Sequence, residues 1–318
     1  MAPGVATGAN TCRHSHPLNP MLSGISIIGF AACYAVAFGL EMAALRHGFT
    51  PRRSILLAIT VAGILLHTIY LASQAASANG VPISTKDEWP LAAAWMLAIL
   101  YLGALFYLPR IPTGVWFLPM VLAFVIGSRF ESHDPLPPDR MFFAWGLVHG
   151  LLLLLGTVSV CVGFLAGSMY LVQSYALKHV RASINRLRLP SLEWLERVNS
   201  RTLGVSTVLI ALGFASGLMM SLATHRGESA YTLWTDPVVL SLAAMLIWLI
   251  AAEVFRLVYP AARRGRKVAY LTLASFLFLV IALASFTLLD TLHASRGSET
   301  AAQDLNSGTI ETLPPFWS

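Results

Sequence analysis

Nine histidines punctuate this chain, and five of them fall where a long apolar stretch meets a short polar one. His67 lies late in an apolar run. His149 lies early in another, and His133 sits in the proline-rich segment before it. His225 opens a segment between two apolar runs that reads His-Arg-Gly-Glu-Ser-Ala-Tyr-Thr-Leu-Trp-Thr-Asp-Pro, and His293 closes the last apolar run. A ring nitrogen held in hydrocarbon is costly unless something uses it, and neutral imidazole is a ready ligand for iron. Two histidines on different helices at one depth can clamp a planar macrocycle from both faces, and His149 and His293 fit that role. Tyr231 and Trp234 offer rings to pack on such a ligand. Arg226 offers a guanidinium fork that matches a carboxylate. The chemistry this pattern predicts is coordination and presentation of a flat, apolar, anionic ligand.

The elements that must position these residues follow from composition. The 318 residues are 56% hydrophobic and only 11% charged, with a mean hydropathy of +0.69. A soluble globular chain carries about 25% charged residues. The deficit predicts an all-α, polytopic transmembrane bundle, because hydrocarbon requires every backbone polar group to be satisfied within the segment. Eight runs of the length a bilayer requires are expected at about 22–45, 54–71, 91–108, 112–127, 141–170, 202–222, 237–259 and 268–292. The fourth is short and starts at a proline. The division expected is a tail over 1–20, four helices over 21–140, a second four-helix domain over 141–296, and a tail over 297–318.

Lysine and arginine counting orients the bundle. The loops holding Arg46, Arg52, Arg53, Arg110, Lys178 to Arg201 and Arg263 to Lys267 carry 14 basic residues; the opposite loops and both tails carry 6. The first set is read as cytoplasmic, which places both termini and the His225 segment outside. The linker from Ser174 to Arg201 carries Leu187, Leu189, Leu192, Leu195 and Val198 at helical spacing. It is expected to form an amphipathic helix on the inner membrane surface, in contact with lipid. The first twenty residues do not form a compact cleavable signal. No basic, aromatic-interleaved soluble segment favours nucleic acid. Cys12, Cys33 and Cys161 form no CxxC or CxxCH pair, so the chain is neither a dithiol reductant nor itself a c-type cytochrome.

With this topology His67, His149, His225 and His293 share the outer side, and haem, bound non-covalently as haem b, is the leading ligand. Each residue also has a plainer reading. An outer histidine can be an interfacial hydrogen-bonding residue, Tyr231 and Trp234 can be aromatic-belt anchors, and Asp236-Pro237 is a sound helix start, with aspartate as cap and proline in the first turn. Glu41 and Glu253 lie near the cytoplasmic ends of their spans, where they can snorkel or pair with Arg46 and Arg256. They are also the groups an ion or proton pathway would use. His14 and His16 belong to the amino-terminal tail, and His47 and His179 to basic cytoplasmic loops.

The order of motifs resembles the cytochrome c assembly family of CcsA, CcmC and HemX-type proteins. Trp145-Gly-Leu-Val-His149, with the helix ending Met169-Tyr170-Leu171-Val172-Gln173, is similar to the start of that domain. Leu189-Pro190-Ser191-Leu192-Glu193-Trp194-Leu195-Glu196 resembles its cytoplasmic stretch. Leu233-Trp234-Thr235-Asp236-Pro237 resembles the end of its tryptophan-rich WWD motif, and Arg263-Arg264-Gly265-Arg266-Lys267-Val268-Ala269 its basic turn. Leu66-His67-Thr68-Ile69-Tyr70 is similar to the second-helix histidine of HemX-type members. The resemblance implies a WWD loop and two flanking histidines, matched here by His149 and His293, that hold haem on the outer side for delivery to apocytochrome c. It also implies a CcsB-like partner subunit and a bacterial cytoplasmic (inner) membrane location. Thr235 separates Trp234 from Asp236, Val238-Val239 replaces the usual Lys-Glu, and Glu253-Val254-Phe255-Arg256 stands where CcsA carries a further histidine. The pattern therefore lies nearer the HemX-like side. The expected function is haem handling in cytochrome c biogenesis, without independent turnover. Regulation of haem synthesis through the cytoplasmic linker and small-solute or ion transport are the alternatives.

Overall fold

The computed structural model describes residues 20–47, 53–77, 87–109, 111–131, 143–179, 189–224, 236–259 and 265–288. They form eight α-helices: α1 Pro20–His47, α2 Arg53–Ser77, α3 Glu88–Tyr107, α4 Gly114–Gly127, α5 Phe143–His179, α6 Leu192–Thr224, α7 Pro237–Val258 and α8 Arg266–Leu288. There is no strand among the described residues. Seven helices are long and apolar enough to cross a membrane, and the chain is a polytopic helical membrane protein.

The helices pack as two groups. α1 to α4 form a ring in which α1 meets α2 and α4, and α3 meets the same two. α5 packs most extensively on α6 and also on α8, with α7 against both α6 and α8. α3, and to a smaller extent α4, joins the first group to α5. Side-chain contacts show the helices alternating in direction. Arg53, at the start of α2, donates to the Leu105 carbonyl near the end of α3 (2.8 Å). Arg266, at the start of α8, donates to Ser174 Oγ late in α5 (2.8 Å). Arg256, late in α7, reaches Ser200 early in α6. Gly265, at φ 83°, makes the turn before α8 in a conformation that favours glycine.

The two ends of the bundle differ in charge. Arg46, Arg53, Lys178, Arg197, Arg201, Arg256, Arg266 and Lys267 all lie toward one end, whereas Arg129 alone among the described basic residues lies at the other. Cationic side chains there also meet the carbonyl ends of helices, where the dipole favours them; Arg53 on α3 is the clearest case.

α4 has 14 residues, about 21 Å at the usual rise, so it falls short of a ~30 Å core. It begins at Gly114 rather than at Pro112. It nonetheless runs from one end of the bundle to the other. Its start is fixed by Glu41, late in α1, whose carboxylate accepts from the Val115 N–H (3.1 Å) and the Tyr101 hydroxyl (2.8 Å). That satisfies a first-turn N–H that would otherwise lie orphaned in an apolar setting. A Cβ at Gly114 would sit 2.7 Å from Glu41 Cδ, so this seat requires a glycine. Glu41 is thus a buried inter-helix cap, not a snorkelling partner for Arg46. Glu253 does pair with Arg256, as its spacing suggests.

The linker helix also differs from expectation. Leu192–Thr224 is one continuous helix of 33 residues, not a surface helix followed by a separate span. The apolar face read as lipid-facing packs on protein instead. Leu195 is fully buried, and Leu189, Leu192 and Val198 close over Ala166, Met169, Tyr170 and Ala269. One turn further on, Asn199 is buried at the meeting of α5, α6 and α8. With its amide turned to match its neighbours, it donates to Thr272 Oγ1 (2.9 Å) and the Gly163 carbonyl (3.1 Å) and accepts from the Ala269 N–H (3.3 Å). Ser159, Thr202, Ser206 and Ser275 continue this seam, the polar and small-residue packing that holds helices together in lipid. Replacing Asn199 by leucine removes the polar contacts it makes to two neighbouring helices. It is expected to cost about 1–3 kcal/mol, read as a lower unfolding midpoint in mixed micelles. An unchanged midpoint would remove Asn199 from the account of the fold.

Candidate functional site

At the end of the bundle opposite the basic residues, the first turns of α5 lie against the last turns of α6. Trp145 and His149 are four residues apart, so they share one face of α5. Both engage α6. Trp145 Nε1 donates to the Ser216 carbonyl (3.0 Å). His149 Nδ1 lies 2.8 Å from the Gly213 carbonyl oxygen and 3.2 Å from Ser216 Oγ. Ser216 Oγ itself donates to the Gly213 carbonyl (2.7 Å).

The close approach is made by glycines. Gly213 and Gly217 form a GxxxG pair on an apolar helix, the spacing that lets two helix backbones meet. A Cβ at Gly217 would lie 2.6 Å from His149 Cε1, and one at Gly213 would lie 2.7 Å from Leu153 Cδ2. Deeper along the pair, a Cβ at Gly156 would meet Ile210 at 2.6 Å. On the other side of α5, the Trp89 indole of α3 lies over Gly150, where a Cβ would come within 2.0 Å of it. His149 is therefore gripped on an α5 turn wedged between α3 and α6. Trp145 remains 43% exposed and Val148 50% exposed, so an apolar surface adjoins the ring.

The carbonyl oxygen of Gly213 can only accept, so Nδ1 carries the proton at this contact and the lone pair of neutral His149 is on Nε2. Metal-binding histidines are oriented in this way, with the second ring nitrogen donating to a carbonyl or carboxylate. The residues around His149 fit a haem on that count. They supply one oriented imidazole and an apolar flank. Among the described residues no three His, Cys, Asp or Glu side chains converge, so this part of the chain offers an iron a single imidazole rather than a chelating cluster.

The other predicted residues divide. Asp236 is buried and caps α7, its Oδ1 accepting from the Val238 N–H (2.7 Å), with Pro237 in the first turn. Its described contact is the structural one that its sequence context suggests, and it fixes the end of the segment that carries Trp234. His67 is fully buried in the first helical group. Its ring stacks on Phe30 (4.1 Å between centroids, 2° between planes), and the Tyr34 hydroxyl lies 3.4 Å from its Nδ1. Phe30 packs on one face of the ring, and the structure does not bring His67, in the first helical group, to His149. Its Nε2 has no hydrogen-bond partner among the described residues. His225, Arg226, Tyr231, Trp234 and His293 lie outside the described residues.

Ser216, Gly213, Gly217 and Trp89 do not stand out from the sequence by residue type. The GxxxG spacing at 213–217 is the one signal there. Trp89 carries no comparable one, because its contact with Gly150 depends on how α3 meets α5. Searches of protein-family models, curated proteins and solved structures find no match to the chain. Gly150→Ala must displace the Trp89 ring and is expected to destabilise the detergent-purified protein by about 1–3 kcal/mol, as overpacking does. Gly146→Ala, whose Cβ meets nothing within 4 Å, should leave the thermal midpoint within error. Equal midpoints for the two variants would argue against the Trp89 contact.

Proposed function

We propose that this chain is a haem-handling integral membrane protein of cytochrome c biogenesis, binding haem b on the outer face of a bacterial cytoplasmic membrane and presenting it there. The observation that carries the reading is the seating of His149, whose Nδ1 is committed to the Gly213 carbonyl so that Nε2 bears the lone pair. The motif order supports it independently, since Trp145-Gly-Leu-Val-His149 and Leu233-Trp234-Thr235-Asp236-Pro237 resemble the haem-binding stretches of the cytochrome c assembly family.

In this reading His149 and His293 would hold the haem iron. Asp236, by capping α7, anchors the segment in which Tyr231 and Trp234 pack against the ligand and Arg226 meets a propionate. His225 stands beside Arg226 as a further polar contact. Trp145, held on Ser216, walls the α5 side and keeps the imidazole turn in register with α6. When bound, haem supplies the iron that both imidazoles ligate and is the cargo taken up by an apocytochrome c with CxxCH, with a CcsB-like subunit as helper. The chain's own part is to bind, orient and keep water from one side of the ligand. Both Glu41 and Glu253 are engaged in helix packing, so no observation favours the transport reading over this one.

Two measurements test the proposal. Absorption spectra of the detergent-purified protein, oxidised and dithionite-reduced, should show low-spin haem that is lost or turned high-spin in a His149→Ala/His293→Ala double variant. A parent that takes up no haem under excess supply would sink the ligand assignment. The orientation, with both termini outside, predicts that Cys12 in spheroplasts reacts with a membrane-impermeant maleimide and that Cys12→Ser abolishes the labelling. Labelling of Cys12 only after lysis would invert the topology and move the site to the cytoplasm.

A further inference from the structure

The outer ends of α5 and α6 hold a device that the haem reading alone does not require. His149 sits on a backbone carbonyl, not on another side chain. It reaches that carbonyl because Gly217 has no side chain there. An alanine Cβ at this position would stand 2.6 Å from His149 Cε1, 3.0 Å from Nδ1 and 3.3 Å from Nε2. The ring thus lies across the Gly217 backbone. Ser216 adds a second acceptor at 3.2 Å, and its own proton is already given to the Gly213 carbonyl. Its hydroxyl therefore receives from His149 and does not donate to it. Gly213 and Ser216 both ask Nδ1 for a proton. The Trp145 indole, bonded to the Ser216 carbonyl one turn earlier on α5, fixes the rotation of α5 against this surface.

We propose that the Gly213–Ser216–Gly217 surface of α6 is a tautomer-setting seat that holds His149 with its proton on Nδ1, making Gly217 and Ser216 positioning residues for axial ligation through Nε2. The inference rests on the haem reading for its ligand, but the tautomer is a property of the protein without ligand. In hydrocarbon the effect is strong, because a carbonyl acceptor has no water competing for the imidazole proton. A methyl group at Gly217 would stand within 2.6 Å of His149 Cε1, so the ring must move off its acceptors. Without those acceptors the ring loses both its preferred tautomer and its orientation. Losing such a supporting contact typically lowers metal affinity roughly 10–100-fold.

The test combines two readouts on the full-length protein. Nitrogen NMR of histidine-labelled, haem-free protein, with the His149 signal assigned by its loss in His149→Ala, reports the tautomer directly. A titration with hemin reports affinity. The parent should show Nδ1 protonated and Nε2 unprotonated. Gly217→Ala should show a mixed or reversed tautomer and a roughly 10–100-fold weaker hemin affinity. Ser216→Ala, which keeps the Gly213 acceptor, should show a smaller shift of the same sign, and Gly146→Ala should match the parent. If Gly217→Ala does not fold, the tautomer of the parent and the Ser216→Ala series still decide. A parent that binds hemin but carries the His149 proton on Nε2 overturns the seat and leaves the haem reading standing. A parent with Nδ1 protonated that binds no hemin overturns the haem reading, and with it the ligand role of the seat. Gly217→Ala with unchanged tautomer and affinity overturns the seat outright.

Discussion

The close approach of α5 to α6 is the constraint on which the arrangement depends. Lipid tails are as apolar as leucine, so helices in a membrane are not driven together by escape from water. They associate through close packing and through hydrogen bonds between helices. Here the packing comes from Gly156 against Ile210 and from Gly213 and Gly217 against Leu153 and His149. The hydrogen bonds come from Trp145, His149 and, further in, Ser159 to the Thr202 carbonyl (3.1 Å). The same contacts that hold the two helices together aim an imidazole. Stability and the candidate site are therefore not separable on this face.

The two ends of the bundle use polar groups differently. At the basic end, charge closes helix termini: Glu41 caps α4, Arg53 covers the end of α3, and Arg256 joins Glu253 to Ser200. These groups have found partners, and their role is structural. At the opposite end, Trp145 stays partly exposed and His149 is partly buried, and both are hydrogen-bonded to α6. His149 is an oriented imidazole beside apolar surface, whereas fully enclosed His67 is stacked on Phe30.

Much of the fold is legible in the sequence because hydrocarbon leaves so few options. A run of some twenty apolar residues has to be helical, and Asp236-Pro237 marks a helix start that the structure places at Pro237. What the sequence hides is which neighbour a face will meet. The stripe from Leu189 to Val198 has the spacing of a lipid-facing surface, yet it closes over Tyr170 and Ala269, because helical spacing records only that a face is apolar and not what covers it. Glu41 has the spacing to meet Arg46, but α4, distant in sequence, brings it an N–H that must be satisfied. The site is legible to a similar degree. His149 stands out by residue type and depth. Its support does not, since Ser216 and Gly217 matter through backbone geometry and their side chains are small.

The central claim is that His149 of α5, held against α6, ligates haem iron. The most direct measurement is pulsed EPR of the oxidised, haem-loaded protein, prepared once with ordinary histidine and once with histidine labelled with heavy nitrogen. The account predicts a low-spin ferric signal whose strong nitrogen couplings include two axial imidazoles, one of them missing in His149→Gly and restored by added imidazole. A signal whose axial couplings do not change with histidine labelling, or that survives unaltered in His149→Gly, would contradict it.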